Sequence, residues 1–279
     1  MRCVPALAFL FLVSFSLVLR AQSTNASLTG RVTDPSKAAI ADAKVAAIRT
    51  ETNFRYETAS NASGEYVLTN LPPGTYRLEA EKAGFKKLIK PDVILHVQDA
   101  LEINWGMTLG EVSESLTVGA DLLPVETESA TVSTVVDHTF VEDIPLNGRS
   151  FQTLILLTPG VVPTVTAFND QSQFSVNGQR ADANYFTVDG VSANFGVTGF
   201  LALLQAAGGA LPALTAWGGT NSLVSVDALQ EFRIQTSSFA PEFGRTPGGQ
   251  ISIVTRSGTN AFHGTLFEYF RNSELDARD

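Results

Sequence analysis

The sequence predicts a mainly β protein in two parts, an antiparallel sandwich of short strands followed by an α+β unit. Three observations carry that prediction. Phe (18 of 279 residues), Gly, Thr, Ser, Val and Asn fill the chain while strong helix formers are sparse, a balance that suits strands and turns. From Ser27 to about Val118, short apolar and polar alternations are cut by turn residues, as in strands with one buried face. After Thr131, Asn-Gly, Asp-Gly and Pro-Gly pairs separate short strands from one short helical pattern. The length allows two ordinary domains of about 100–200 residues after an exported leader.

The leader is residues 1–21. Arg2 gives a positive start, Val4 to Leu19 is apolar, and Ala21 is a small residue at which a signal peptidase could cut. The apolar run falls short of the roughly 20 residues that a membrane-crossing helix needs. Cys3, the one cysteine, lies inside it, so the chain from Gln22 onward would carry no thiol or disulfide. The net charge of −9 argues against nucleic acid as a partner, because phosphates require a basic face.

Residues 22–110 hold seven candidate strands, near 28–32, 44–48, 54–58, 66–68, 75–79, 93–97 and 102–107. The clearest signal is Ser63-Gly64-Glu65-Tyr66-Val67-Leu68, then Leu71-Pro72-Pro73-Gly74-Thr75-Tyr76-Arg77-Leu78. Pro72, Pro73 and Gly74 break the chain between two strands. Tyr66 and Leu68 are two residues apart, as are Tyr76 and Leu78, so each pair points into one core. This spacing resembles the carboxypeptidase regulatory-like domain, a transthyretin-like sandwich of the carbohydrate-binding-like fold group. The resemblance implies an accessory module without catalysis. It also leaves two roles open for Trp105 and the tyrosines, stacking on a sugar or filling the core.

Residues 111–130 are acidic and turn-prone without a sustained period, and read as a linker. Residues 131–256 begin a new unit. Ile144-Pro145-Leu146-Asn147-Gly148-Arg149-Ser150-Phe151-Gln152 gives a turn, with Ser150 able to cap a short helix. Phe151, Leu154 and Ile155 share a helical face, and Pro159-Gly160 stops it. Two strands follow, marked by Asn177-Gly178 before Arg180 and by Asp189-Gly190. Next comes a helical turn capped by Asp227, running into a strand through Gln235. A last strand ends at Thr255. Between Gly190 and Asp227 no residue is charged, and Phe200–Leu204, Gly208-Gly209 and Trp217-Gly218-Gly219 form an apolar, glycine-rich insertion.

The order of these blocks resembles the plug of TonB-dependent outer-membrane receptors, especially the Oar-like group, in which a sandwich of this kind precedes the plug. Residues 257–279 resemble the crossing into the first barrel strand. One spanning strand takes about 9–11 residues and large transporter barrels have about 22 strands, so only the start of a barrel is expected here. The resemblance implies a plug that gates uptake of an unidentified substrate. It implies TonB as a partner, with its inner-membrane energising complex, and a place in the outer membrane. It makes Glu114, Ser115, Leu116, Thr117 and Val118 the candidate TonB contact, although a last sandwich strand explains them too. It gives Asn147, Gly148, Arg149, Asn177, Gly178, Arg180, Asp189 and Gly190 as plug-motif residues. It lets Arg149, Arg180, Arg233, Arg245 and Arg256 pair with barrel-wall carboxylates. The competing reading is a secreted or periplasmic carbohydrate-binding module with Trp105 at its site.

No enzyme is expected. His96, His138 and His263 are isolated, with no zinc-protease spacing, no nucleophile elbow and no phosphate-binding loop. No catalytic, cofactor-binding or metal-ligating residues are assigned.

Overall fold

A computed structural model of the chain describes residues 24–110, 115–117, 131–144, 152–163, 174–180, 183–194, 224–239, 243–244, 246–262 and 264. The leader, the glycine-rich insertion and the segment around Asn147 lie outside them.

The first domain is a sandwich of two sheets. Its strands are β1 (Ala26–Thr33), β2 (Lys44–Arg49), β3 (Arg55–Ala59), β4 (Glu65–Leu71), β5 (Gly74–Glu81), β6 (Lys87–Leu95), β7 (Ala100–Glu102), β8 (Trp105–Gly106) and β9 (Ser115–Thr117). One sheet runs β4-β1-β7 with β8 also paired to β1, and the other runs β3-β2-β5-β6-β9. The expected strand near 93–97 is longer and earlier, because Lys87–Leu95 pairs along the whole of β5. Tyr66, Leu68, Tyr76 and Leu78 meet in one core with Leu28, Leu88, Leu95 and Met107.

Charged side chains cover the outer face of the second sheet. Ala46 and Ile48 are buried although they point away from the core. Arg55 and Arg77 stand opposite Ile48, and Glu57 and Glu79 stand opposite Ala46. Glu79 receives Arg55 at 3.1 Å, Arg77 at 3.2 Å and Lys87 at 3.0 Å. The aliphatic stems of these side chains lie over the apolar strand while their charges neutralise one another.

Trp105 belongs to the core, which corrects its candidacy as a sugar platform. It is 3% exposed, and its indole N–H donates to the Tyr66 hydroxyl at 3.1 Å. That hydroxyl in turn donates to the Ile103 carbonyl at 2.6 Å. A ring enclosed in this way has no face left for a ligand. Tyr66→Phe should orphan the indole N–H and the carbonyl together and destabilise the sandwich by about 1–3 kcal/mol, read as a lowered urea midpoint at unchanged slope.

The second domain is built on a five-stranded sheet in the order β10-β15-β16-β13-β14. In chain order its elements are β10 (Val132–Asp137), helix α1 (His138–Asp143), the one-turn helix α2 (Gln152–Ile155), β11 (Val161–Pro163), β12 (Phe174–Val176), β13 (Tyr185–Val188), β14 (Val191–Ser192), β15 (Leu229–Ser237) and β16 (Gln250–Thr255). Asp137 caps α1 by accepting the Phe140 N–H at 2.8 Å. Leu154 and Ile155 of α2 are buried as the helical face requires. Phe174–Val176 pairs with β11 in a separate two-stranded sheet rather than joining the large one.

The 3-10 turn at Val226–Ala228 has Ser225 as its cap, not Asp227. The Ser225 hydroxyl reaches the Ala228 N–H, while Asp227 sits inside the first turn, where its charge favours the exposed amides. One face of the large sheet buries Phe186, Phe232, Ile234, Ile251 and Ile253 against Val141, Leu154 and Ile155.

Candidate functional site

The opposite face of that sheet is polar and equally buried. Alternation along β15 puts Glu231, Arg233 and Gln235 on it. Cross-strand register adds Ser252 beside Arg233 and Gln250 beside Gln235. All five are at most 4% exposed. Their cover is one end of the sandwich. The β6–β7 turn, His96 to Asp99, lies on the sheet, and the β2–β3 hairpin reaches the segment after β16.

Hydrogen bonds and ion pairs between named residues hold this junction. The Glu231 carboxylate takes the His96 ring at 2.8 Å and also accepts the Val97 N–H. Its hydrogen bond to the imidazole, outweighing burial, raises the His96 pKa above the usual histidine value. Arg233 pairs with Asp99. Asp99 also shapes the turn, its other oxygen accepting the His96 N–H at 2.7 Å. Gln98 donates to the Ser252 hydroxyl at 2.9 Å and accepts from Gln235 at 2.9 Å. At the hairpin, Arg49 donates to the Ser257 hydroxyl at 2.7 Å, and the Asn260 side chain donates to the Thr52 carbonyl at 2.8 Å.

Sequence reasoning missed this junction. His96 and Glu231 stand 135 residues apart, and no local spacing joins them. A polar stripe on β15 is legible from its period, but its burial depends on where the sandwich lands. Arg233, expected to reach a barrel wall, is committed to Asp99 instead.

The turns were legible. Asn177-Gly178 and Asp189-Gly190 both adopt positive φ, at 50° and 76° and at 49° and 79°. Asp189-Gly190 closes the β13–β14 hairpin, with Val188 opposite Val191. Its carboxylate also accepts the Thr255 N–H at 2.9 Å and hydroxyl at 2.8 Å, tying the hairpin to β16. Asn177 donates to the Thr236 carbonyl at 2.7 Å, so its turn locks the small sheet to β15. Arg180 and Arg256 are exposed. Asn147, Gly148, Arg149 and Arg245 lie outside the described residues.

Of the candidate TonB contact, Glu114 and Val118 are also outside them. Ser115–Thr117 forms β9, paired in parallel with Lys87–Ile89 of β6 at the edge of its sheet. Among the described residues, no helix is long and apolar enough to cross a membrane, and no group of three or more His, Cys, Asp or Glu could hold a metal ion.

Comparison with known proteins adds the family context. Residues 27–108 match the carboxypeptidase regulatory-like domain, and residues 254–279 match an outer membrane beta barrel domain. The TonB-dependent transporter Oar of Myxococcus xanthus is 32% identical over an aligned length of 264 residues that covers 90% of this chain. The chain is a sequence relative of a TonB-dependent transporter. It spans 22% of the length of Oar. The aligned span therefore reaches into both domains. Among solved structures, a type II Cohesin-X-Dockerin complex from Acetivibrio cellulolyticus is 14% identical, with a TM-score of 0.25, covering 30% of this chain and 58% of that one. Hydroxyquinol 1,2-dioxygenase from Pseudomonas putida is 10% identical, with a TM-score of 0.26, covering 32% of this chain and 57% of that one. Scores this low lie beneath the level at which a common fold can be read.

Proposed function

We propose that this chain is the front part of a TonB-dependent outer-membrane transporter, with residues 1–21 an export signal, 22–110 an accessory sandwich and 131–256 the plug of a barrel that starts near 257. The observation that carries this reading is the 32% identity to Oar over 90% of the chain, a span that includes both domains. The barrel-domain match at 254–279 falls where the resemblance puts the crossing into the first barrel strand.

In this reading the work is mechanical, not catalytic. TonB, drawing on its inner-membrane energising complex, pairs as an added strand with Glu114–Val118 and pulls. The described part of that segment is an edge strand, and an edge presents free backbone groups for a further strand. Arg180 and Arg256, exposed here, would meet barrel-wall carboxylates, as would Arg149 and Arg245. The sugar-binding alternative loses its main candidate with Trp105 enclosed in the core.

The reading is tested by following the genomic reading frame past codon 279 and fractionating cells that express the whole product. A frame continuing into about 22 alternating strands, with the product in the outer membrane, is the expected result. A stop codon with no barrel sequence, and a product free in the periplasm, would overturn it.

A further inference from the structure

The junction between the two domains has the chemistry of a contact made to open. Strand β15 presents Glu231 and then Arg233, and the β6–β7 turn presents His96 and then Asp99, so each charge meets its opposite. Sliding the turn by one pair along the strand would set Glu231 against Asp99. The pairing therefore fixes one register, which is what charge complementarity does best.

It adds little adhesion beyond that. Desolvation offsets most of what buried ion pairs gain, and apolar side chains of the same volume would often hold as well or better. The polar face also retains unpaired atoms, since the buried Oε1 atoms of Gln235 and Gln250 have no hydrogen-bond partner among the described residues. Each such atom costs free energy for as long as the junction stays dry. The cores, by contrast, are separate: the sandwich cluster and the second-domain cluster have no residue in common. Separating the domains would wet polar groups and leave both cores intact. Polar contacts between domains with their own cores are the kind that permit relative motion.

We propose that the sandwich is a releasable partner of the second domain within the same chain. Its loop end, His96–Asp99 with Arg49–Thr52, detaches as a unit from the polar face of β15 and β16 and from residues 257–260, while both domains stay folded. This inference uses only the junction and does not rest on the transporter reading.

Native-state hydrogen exchange on the full chain tests it, because the Val97 amide donates across the junction to Glu231 and reports directly on the contact. The Ile253 amide, in the central strand β16, reports on the second-domain core. In the wild-type chain Val97 should exchange at least about tenfold slower than an unstructured amide and at least about tenfold faster than Ile253, the signature of sub-global opening. His96→Glu, a change on the sandwich side that sets like charges face to face, should speed Val97 by about tenfold or more and leave Ile253 unchanged. Arg233→Glu should do the same from the other side.

Val97 exchanging as slowly as Ile253 in the wild-type chain would show that the junction opens only when the protein unfolds, and would overturn the proposal. Val97 exchanging like an unstructured amide would overturn it by showing that the contact does not form. A Val97 rate unmoved by His96→Glu would overturn it as well.

Discussion

Gly30→Ala should unfold the sandwich more readily than any other single methyl addition in that domain. A Cβ at residue 30 would lie 1.9 Å from the Ile103 carbonyl oxygen, 2.7 Å from its carbon and 3.0 Å from the Tyr66 ring. The backbone at 103 cannot retreat cheaply. Its N–H donates to the Thr29 carbonyl at 2.8 Å, and its carbonyl accepts the Tyr66 hydroxyl that also holds Trp105. One methyl group thus sets the pairing of β1 against the buried Tyr66–Trp105 pair. The cost should be about 3 kcal/mol or more. Gly106→Ala is the matched control, since nothing lies within 4 Å of a Cβ there. It should change stability by less than about 0.5 kcal/mol. Thermal unfolding followed through the buried indole of Trp105 compares the two, and equal midpoints would contradict the packing described.

Asn184→Leu should be the corresponding break in the second domain. Asn184 is 1% exposed and makes two backbone contacts through its side chain. It donates to the Phe174 carbonyl at 2.8 Å and accepts the Gly249 N–H at 2.9 Å. It thereby joins β12, β13 and the entry to β16, and the Asn194 side chain closes the group by donating to the Asn184 carbonyl at 2.9 Å. Leucine fills a similar volume and leaves both backbone partners dry and unpaired, at about 1–3 kcal/mol each. A loss of about 4 kcal/mol is expected, confined to the unfolding of the second domain, with sandwich amides unaffected. A variant within about 1 kcal/mol of wild type would mean that Asn184 is not the joint it looks to be.

What the sequence revealed and what it hid follow from range. The Tyr66–Leu68 and Tyr76–Leu78 pairs announce their strands because a two-residue period acts locally. Asn177-Gly178 and Asp189-Gly190 announce turns because few dipeptides adopt two positive φ angles. Trp105 could not be assigned from pattern alone, since an aromatic on a short strand fits a core and a ligand face equally. The cap at the 3-10 turn was misplaced by two residues, from Ser225 to Asp227, because both side chains suit a cap and only backbone geometry chooses between them. A last sandwich strand at Ser115–Thr117 was one of two readings open for that segment, but its parallel pairing with β6 and the His96–Glu231 junction were hidden for a different reason. Both depend on how distant segments dock, and a single sequence carries no signal for pairing across 135 residues.

The most direct test of the transporter account is calorimetric titration of the full chain with the purified periplasmic C-terminal domain of TonB from the same organism, repeated with Leu116→Pro. Proline within a strand removes a backbone donor and breaks the pairing, and residue 116 lies in the edge strand β9, beyond the 27–108 domain match, so the loss should stop at that outermost strand and leave the rest of the sandwich folded. The account expects saturable one-to-one binding by the wild-type chain, abolished by Leu116→Pro and retained by Gly106→Ala. No binding by the wild-type chain, or equal binding by Leu116→Pro, would contradict it.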